Sequence, residues 1–299
     1  MAVLGLRNIK RHIRGISDIR QITRAMELVA SVKMRKAREL LGKTRPHFQS
    51  IEDVINDIII YIKEDESRKK KRKVGHELME AREVKKACYI IVSADRGLAG
   101  SYNVNIIRMA QSHMDKQAGE VSVITIGQKA RDYFRKRDYE IDGEFTQISE
   151  DPTYASAKSI AKLCIEMYIQ GSVDEVYLVY TEFLSAVSYN PKLTKLLPLE
   201  PKIKESVEDK PQTVKFMLYE PSVEEVLNYL IPKYIESMIY GALVESSTSE
   251  QSARRVAMKN ATDNAGEIID DLQLKYHRAR QASITQEISE IVSGAEALS

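Results

Sequence analysis

In the stretch ATDNAGEIIDDLQLKYHRARQA (residues 261–282), mostly apolar residues recur at steps that alternate between four and three positions. Such steps average 3.5 residues, which is the repeat of a left-handed coiled coil. The alanines in this pattern would let a partner helix approach closely, and Lys275 is its one polar member. The predicted seam consists of Ala261, Ala265, Ile268, Leu272, Lys275, Ala279 and Ala282.

The other end of the chain supplies a partner for this seam. Apolar residues also recur there at three- or four-residue steps, no proline precedes Pro46, and none follows Pro232. A helix from residue 233 to 293 would be roughly 90 Å long, whereas a globule of this chain length is about 50 Å across. We therefore expect this helix to protrude and to pair antiparallel with an N-terminal helix. The N-terminal stripe is Leu6, Ile9, Ile13, Ile16, Ile19, Ile22, Met26 and Val29.

The middle of the chain predicts a different architecture. Short β-branched and aromatic runs alternate there with helical stretches, which is typical of a parallel, doubly wound sheet. The fold class is therefore α/β, with a long antiparallel left-handed coiled coil of the N- and C-terminal helices and an inserted Rossmann-like α/β domain. We expect a coiled-coil helix over 1–60, a charged linker over 61–86, the α/β domain over 87–220 and the second coiled-coil helix over 221–299. The predicted strands are Cys88–Ala94, Val121–Ile126, Glu175–Phe183 and Val214–Tyr219.

Charge is segregated along the chain, although the formal net charge is only +2. Residues 1–45 contain twelve basic residues against three acidic ones, whereas residues 245–299 contain six against nine. The segment 63–86 is densely charged and includes RKKKRK at 68–73. This run fits a solvated linker, and a nucleic-acid patch or a targeting signal remains the alternative. No stretch approaches the roughly 20 apolar residues of a membrane-spanning helix.

Two glycine-containing segments are near matches to phosphate-binding loops, and neither has the required context. ARELLGKT (residues 37–44) lacks the first glycine of the GxxxxGK[ST] pattern and lies in a predicted helix rather than after a strand. DRGLAG (residues 95–100) follows a strand, but without GxGxxG spacing it predicts a tight turn onto a helix. The histidines lack paired ligand spacing, and we expect Cys88 and Cys164 to be buried, reduced thiols. The sequence thus predicts no catalytic, metal or cofactor site.

The C-terminal sequence EQSARRVAMKNATDNAG (residues 250–266) continues through RARQASITQE (278–287) to EIVSG (290–294). This succession closely resembles the gamma subunit of F-type ATP synthases. The N-terminal QITRAMELVA (21–30) and the central SADRGLAGSYN (93–103) are similar to the other signatures of that family. The similarity runs from end to end of the chain.

The resemblance implies a non-catalytic subunit, the central rotor shaft that couples ion flow through the c-ring to ATP synthesis or hydrolysis on the beta subunits. The implied partners are the alpha and beta subunits, the epsilon subunit and the c-ring in a hetero-oligomer, with no nucleic acid and no cofactor. Family positions at the rotor–stator contact match Met26, Arg255, Arg280, Gln281 and Thr285. We see neither a presequence nor the inserted cysteine pair of plastid relatives. We therefore expect a bacterial type, peripheral on the cytoplasmic side of the plasma membrane.

The last apolar residues extend the C-terminal stripe beyond the start of the N-terminal one. Such a stripe would suit a low-friction tip inside an apolar sleeve, and packing within the chain explains it equally well. The residues concerned are Ile284, Ile288, Ile291 and Ala295.

Without the resemblance, the residues alone favour other hypotheses. A coiled-coil interaction protein comes first, a basic coiled-coil adaptor that binds nucleic acid second, and a nucleotide-dependent enzyme third. Salt-sensitive DNA binding by the isolated chain would support the adaptor, and nucleotide turnover by the isolated chain would support the enzyme. Co-purification with alpha and beta subunits, with ATPase activity only in the complex, would identify the rotor.

Overall fold

A computed structural model of the chain describes residues 2–68, 76–200, 220 and 222–296. The chain forms two compact units: unit 1 comprises Met1–Val32 and Arg254–Ser299, and unit 2 comprises Lys33–Ala253. The predicted strand Val214–Tyr219 and residues 69–73 of the basic run lie outside the described residues.

Two long helices form the ends of the chain, α1 over Ala2–Arg68 and α5 over Val223–Glu296, which confirms the predicted terminal helices. Both continue through a proline, Pro46 in α1 and Pro232 in α5. A proline inside a helix costs about 3 kcal/mol because it removes a backbone hydrogen bond and clashes with the preceding turn. Burial of apolar side chains around each proline offsets that cost. At most 4% of the surface is exposed at Leu41, Ile55, Ile58, Leu227, Ile231 and Ile235.

Unit 2 contains a five-stranded sheet in the order β3-β2-β1-β4-β5. The strands are β1 (Lys86–Val92), β2 (Glu120–Ile126), β3 (Glu140–Phe145), β4 (Glu175–Phe183) and β5 (Tyr189–Leu197). Strand β1 pairs in parallel with β2 and β4, and β3 pairs in parallel with β2. Strand β5 is antiparallel to β4. The predicted doubly wound sheet is therefore confirmed, with one antiparallel strand at its edge.

Helices cover both faces of this sheet. The shorter ones are α2 (Tyr102–Met114), α3 (Gln128–Arg135) and α4 (Tyr154–Ile169), and a single 3₁₀ turn spans Glu77–Met79. Tyr89 and Ile91 of β1 pack with residues of α2 and α3, whereas the alternate residues Cys88 and Ile90 pack on the opposite face. That opposite face is covered by α4 together with the parts of α1 and α5 that belong to unit 2. The terminal helices therefore supply part of the cover on one face of the sheet.

The two edge strands β3 and β5 were not predicted. Strand β3 reads EIDGEF, and its residues are half-buried or exposed, so it lacks the apolar run of a central strand. Strand β5 contains Pro191 and two lysines. Proline cannot donate a backbone hydrogen bond and is tolerated at sheet edges. The apolar runs therefore identified only the strands that have a neighbour on both sides.

Both cysteines are buried and free, as predicted. Burial raises the pKa of the Cys88 thiol to about 12 and that of the Cys164 thiol well above its usual value. The cause is the loss of hydration that a thiolate would suffer inside the core. The two side chains therefore act as small apolar groups at neutral pH.

A substitution of Gly127, which lies between β2 and α3, tests the structure of this junction. Its φ is +90°, and an added Cβ would lie 2.4 Å from the Ser93 carbonyl oxygen. We expect Gly127→Ala to lower the free energy of unfolding of the full chain by about 3 kcal/mol in urea denaturation, because of backbone strain and this clash.

Gly42 is the matched control because it lies inside α1, with no described atom within 4 Å of an added Cβ. Gly42→Ala should raise the free energy of unfolding by up to about 1 kcal/mol through better helix propensity. Equal effects of the two substitutions would contradict the structure.

Candidate functional site

The seam of unit 1 runs antiparallel and carries polar side chains. The hydroxyl oxygens of Thr23 and Thr262 lie 2.8 Å apart. The Arg20 guanidinium carbon lies 3.6 Å from the position of a Cβ on Gly266. Residue numbers therefore decrease along α1 as they increase along α5, which confirms that the two helices are antiparallel. A polar pair at a coiled-coil seam fixes the register of the two helices at some cost in stability.

The covered face of α5 keeps the predicted 3.5-residue spacing. At every second position of the predicted seam, however, the covered residue is the next one along the chain. Ile268, Lys275 and Ala282 are exposed, so their placement at the seam is wrong. In each case the following residue is on the covered face instead. Both phases have the same 3.5-residue period, and only contact with the partner helix selects between them. The observed seam residues are Met258, Thr262, Ala265, Ile269, Leu272, Tyr276, Ala279 and Ser283.

The covered face of α1 follows the predicted stripe as far as Ile16 and again at Met26, but three other members of the stripe lie outside it. Ile19, Ile22 and Val29 are 50%, 59% and 56% exposed, so their placement at the seam is wrong. Thr23 continues the covered face, because its hydroxyl has a partner on α5. Near this polar contact, Ile19 and Ile22 therefore lie on the outer surface of the coiled coil.

A second apolar stripe lies near the end of α5. Ile284, Ile288 and Ile291 follow at steps of four and three, and they are 47%, 56% and 71% exposed. Packing within the chain therefore does not account for these three side chains. The side chain of Ala295 lies outside the described residues. Because contiguous exposed apolar surface marks a contact with another molecule, this stripe is a candidate interface.

The five residues predicted at the rotor–stator contact all lie in unit 1. Met26 and Arg255 are half-buried, whereas Arg280, Gln281 and Thr285 are exposed. The Thr285 hydroxyl donates a hydrogen bond to the Gln281 carbonyl oxygen at 3.0 Å, so these two share one turn. Given the pairing of Thr23 with Thr262, Met26 and Arg255 lie within about one helical turn of each other along the axis.

The five residues therefore do not form one compact site. Arg255 and Arg280 are separated by about 38 Å along α5, at 1.5 Å per residue. They divide into a first level, Met26 with Arg255, and a second level, Arg280 with Gln281 and Thr285. A surrounding protein would have to contact the coiled coil at two heights to reach both.

In unit 2, helix α5 lies where doubly wound folds usually bind ligands. That place is at the carboxyl ends of two neighbouring strands whose connections run in opposite directions, here β1 and β4. Ser246 Oγ accepts a hydrogen bond from the Thr181 N–H of β4 at 3.1 Å. Ala253 packs against Ala94, which follows β1. The chain's own helix therefore lies against this end of the sheet.

The two near matches to phosphate loops are structural. The Asp95 carboxylate accepts a hydrogen bond from the Gln128 N–H at 3.2 Å and another from the Ser149 hydroxyl at 2.9 Å. Its negative charge is thus placed at the N-terminus of α3, where the helix dipole favours it. This confirms the predicted turn over 95–100. The segment 37–44 lies inside α1, and the Thr44 hydroxyl donates to the Leu40 carbonyl oxygen at 3.0 Å.

Two further kinds of site have no counterpart in the part of the chain that the structure describes. No group of three or more His, Cys, Asp or Glu side chains is arranged to hold a metal ion there. Within the same residues, no helix has an apolar stretch long enough to cross a bilayer.

Comparison with known proteins gives a consistent result. The family model described as ATP synthase matches residues 5–298. The ATP synthase gamma chain of Alkaliphilus metalliredigens is 56% identical over 296 residues, which cover 99% of each chain. The sodium-ion-specific ATP synthase gamma chain of Acetobacterium woodii is 44% identical, over 98% of each chain.

Solved structures agree on the fold. A chain of the mitochondrial ATP synthase of Euglena gracilis matches with a TM-score of 0.66 at 18% identity, over 98% of this chain and 94% of that one. A chain of the central stalk and c-ring of the Tetrahymena thermophila mitochondrial ATP synthase matches with a TM-score of 0.57 at 24% identity. That match covers 80% of this chain and 99% of the other.

Substitution of two adjacent isoleucines can distinguish the observed seam from the predicted one. Ile269 is 8% exposed, whereas Ile268 is 47% exposed. We expect Ile269→Ala to lower the free energy of unfolding of the full chain by about 2–3 kcal/mol, because it leaves a cavity at the seam. Ile268→Ala is the control and should change it by about 0.5 kcal/mol or less. Urea denaturation of both variants measures the difference, and the reverse order would exclude the observed register.

Proposed function

Since this chain belongs to the ATP synthase gamma-chain family, we propose that it is the central rotor shaft of a bacterial F-type ATP synthase. It rotates inside a ring of alternating alpha and beta subunits and couples ion flow through the c-ring to ATP synthesis or hydrolysis on the beta subunits. Its other partner is the epsilon subunit, which lies against the α/β domain at the base. The match to gamma chains over 99% of the chain carries this proposal.

The seam of unit 1 gives the shaft its physical basis. A shaft transmits rotation only if it resists twisting, and two helices held together resist twisting better than one. The Thr23–Thr262 pair opposes sliding of the helices, because any slip breaks the contact between the two part-buried hydroxyls. The two helices therefore turn as a single body.

The outer surface of the coiled coil supplies the coupling. A rotor shifts a catalytic site only by its differential interaction with the conformations of that site. Moving a two-state site from 1:99 to 99:1 takes about 5.5 kcal/mol of differential affinity. The excess of basic residues at the N-terminal end and of acidic residues at the C-terminal end gives the shaft an unequal surface. Each stator subunit then meets a different face as the shaft turns.

Stator contact is made at the two levels of unit 1. We assign Met26 and Arg255 to the first level and Arg280, Gln281 and Thr285 to the second. The side chains at the second level are exposed, so another subunit can contact them, which suits a contact that forms and breaks. The apolar stripe of Ile284, Ile288 and Ile291 suits an apolar sleeve around the end of the shaft.

We propose that the catalytic residues of the complex lie on the beta subunits and not on this chain. Its Asp95 loop stabilises the start of α3 instead of facing a ligand. Helix α5 lies at the end of the sheet where a nucleotide would bind in a related fold. Nucleotide chemistry is thus left to the beta subunits.

The same assignment places the chain at the plasma membrane of a bacterium, on its cytoplasmic side. It is held there as a peripheral subunit through the c-ring. We also propose the division into a coiled-coil helix (1–60), a charged linker (61–86), an α/β domain (87–220) and a coiled-coil helix (221–299).

Reconstitution with the alpha and beta subunits of the same organism tests the proposed function. The complex should hydrolyse ATP, and a bead attached to unit 2 should rotate in one direction. The isolated chain should neither turn over ATP nor bind DNA. Salt-sensitive DNA binding without assembly with alpha and beta subunits would instead support the adaptor hypothesis.

Arg280 tests the second level of stator contact. Because Arg280 is exposed, Arg280→Ala should leave the free energy of unfolding of the chain within about 0.5 kcal/mol of the wild type. The ATPase rate of the reconstituted complex should nevertheless fall several-fold, because a charged contact with the stator is lost.

Arg278→Ala is the matched control, since Arg278 is also exposed and lies two residues earlier on α5. It should leave the ATPase rate near that of the wild type. Equal rates for the two variants would remove Arg280 from the proposed contact.

A further inference from the structure

The last part of α5 within unit 2 is buried but polar. A helix buried inside a protein is normally apolar on all sides. Here seven consecutive residues are polar and at most 2% exposed, although they lie in the interior. They are Ser246, Ser247, Thr248, Ser249, Glu250, Gln251 and Ser252. Such a segment has a physical cost unless its polar groups are paired, so its partners indicate its role.

Three serines at three-residue steps bind other elements of unit 2. Ser246 Oγ accepts a hydrogen bond from the Thr181 N–H at 3.1 Å, and Ser249 Oγ donates to the Thr181 carbonyl oxygen at 3.3 Å. Ser252 Oγ donates to the Ala186 carbonyl oxygen at 2.7 Å, in the connection between β4 and β5. We call Ser246, Ser249 and Ser252, with these partners, the serine clamp.

Tyr102 of α2 holds the same segment from another element. Its hydroxyl donates to the Ser246 carbonyl oxygen at 3.2 Å, and the tyrosine is 1% exposed. Ser246 is therefore bound through its side chain by β4 and through its backbone by α2. Both supports come from outside α5.

The clamp replaces a missing strand neighbour. Strand β1 pairs with β4 only as far as Val179, and Thr181 follows two residues later. The backbone of Thr181 would otherwise leave a buried N–H and a buried C=O without a partner, which destabilises a folded protein. The serines of α5 satisfy both groups, so the helix is joined to the end of the strand by directed bonds.

Directed bonds restrain a helix in a way that apolar packing does not. Apolar contact is non-directional and restrains a helix only through the fit of its side chains, whereas a hydrogen bond also fixes the direction between two atoms. A rotation of α5 by one residue, about 100°, would separate every clamp serine from its partner inside the core. The hydrogen bonds of the three clamp serines therefore favour one orientation of α5.

We propose that Ser246 and Ser249 are positioning residues for torque transmission. They lock α5 to the sheet against rotation about its own axis. The clamp ends at Ser252, two residues before Arg254, where α5 enters unit 1. Torque applied to unit 2 therefore passes into α5 at the clamp. This inference rests on the proposed rotor function.

The test uses the reconstituted complex with the double substitution S246A and S249A. Both hydroxyl contacts to Thr181 are lost, while the volume of the helix barely changes. A bead attached to unit 2 should show a larger angular variance during catalytic pauses than in the wild type. In vesicles containing the whole synthase, fewer ions should be pumped per ATP, and the ATPase rate should remain.

Ser247→Ala is the matched control. Ser247 is 2% exposed on the same segment, and its hydroxyl has no hydrogen-bond partner among the described residues. It should leave both the angular variance and the ion-to-ATP ratio unchanged. A role in stability alone would lower the yield of assembled complex but would not move either quantity in the complexes that form.

The outcomes separate this inference from the rotor assignment. A wild-type complex that fails to rotate would contradict the assignment itself. A wild-type complex that rotates, with a double variant indistinguishable from it and from Ser247→Ala, would overturn only the clamp. If the double variant does not assemble, S249A alone retains the bond from the Thr181 N–H and should show the same changes to a smaller extent. An unchanged variance in S249A would then overturn the clamp as well.

Discussion

The organisation of unit 1 depends on one contact, the meeting of the Thr23 and Thr262 hydroxyls across the helix pair. Helices that meet through apolar side chains alone can exchange one register for another at small cost. A hydroxyl pair favours one register, because the contact between Thr23 and Thr262 forms only when the two residues lie opposite each other. Gly266 lies one turn beyond Thr262 and close to the Arg20 guanidinium, as the antiparallel register requires. Ile19 and Ile22 lie on the outer surface of the coiled coil.

In unit 2, helices pack on both faces of the sheet. One face is covered by α2 and α3, and the other is covered in part by the chain's own terminal helices. In ligand-binding proteins of this class, the carboxyl ends of the central strands stay open. Here α5 lies there and bonds to β4 through Ser246 and Ser249. A fold often used for nucleotides thus holds a helix in place.

Periodicity in the sequence predicted the two long helices, their antiparallel pairing and the three inner strands. It did not determine the phase of the seam, because adjacent residues such as Ile268 and Ile269 fit the same period. The polar Lys275 beside Tyr276 was the one available signal that the other phase is correct. The seam position of Thr23 could not be predicted, since its preference arises from a partner 239 positions away. The edge strands β3 and β5 were not predicted, because most of their residues are only partly buried and they therefore lack a continuous apolar run.

The burial of Cys88 and Cys164 has a practical consequence for any optical study of this chain. At pH 7 a thiol whose pKa is raised to about 12 is almost entirely protonated. A maleimide reacts with the thiolate and must also reach it. We therefore expect neither buried native thiol to be labelled in the folded chain. A cysteine introduced on an exposed loop would be labelled first and alone. Fluorophores can therefore be attached at a chosen point without first removing the natural sulfhydryls.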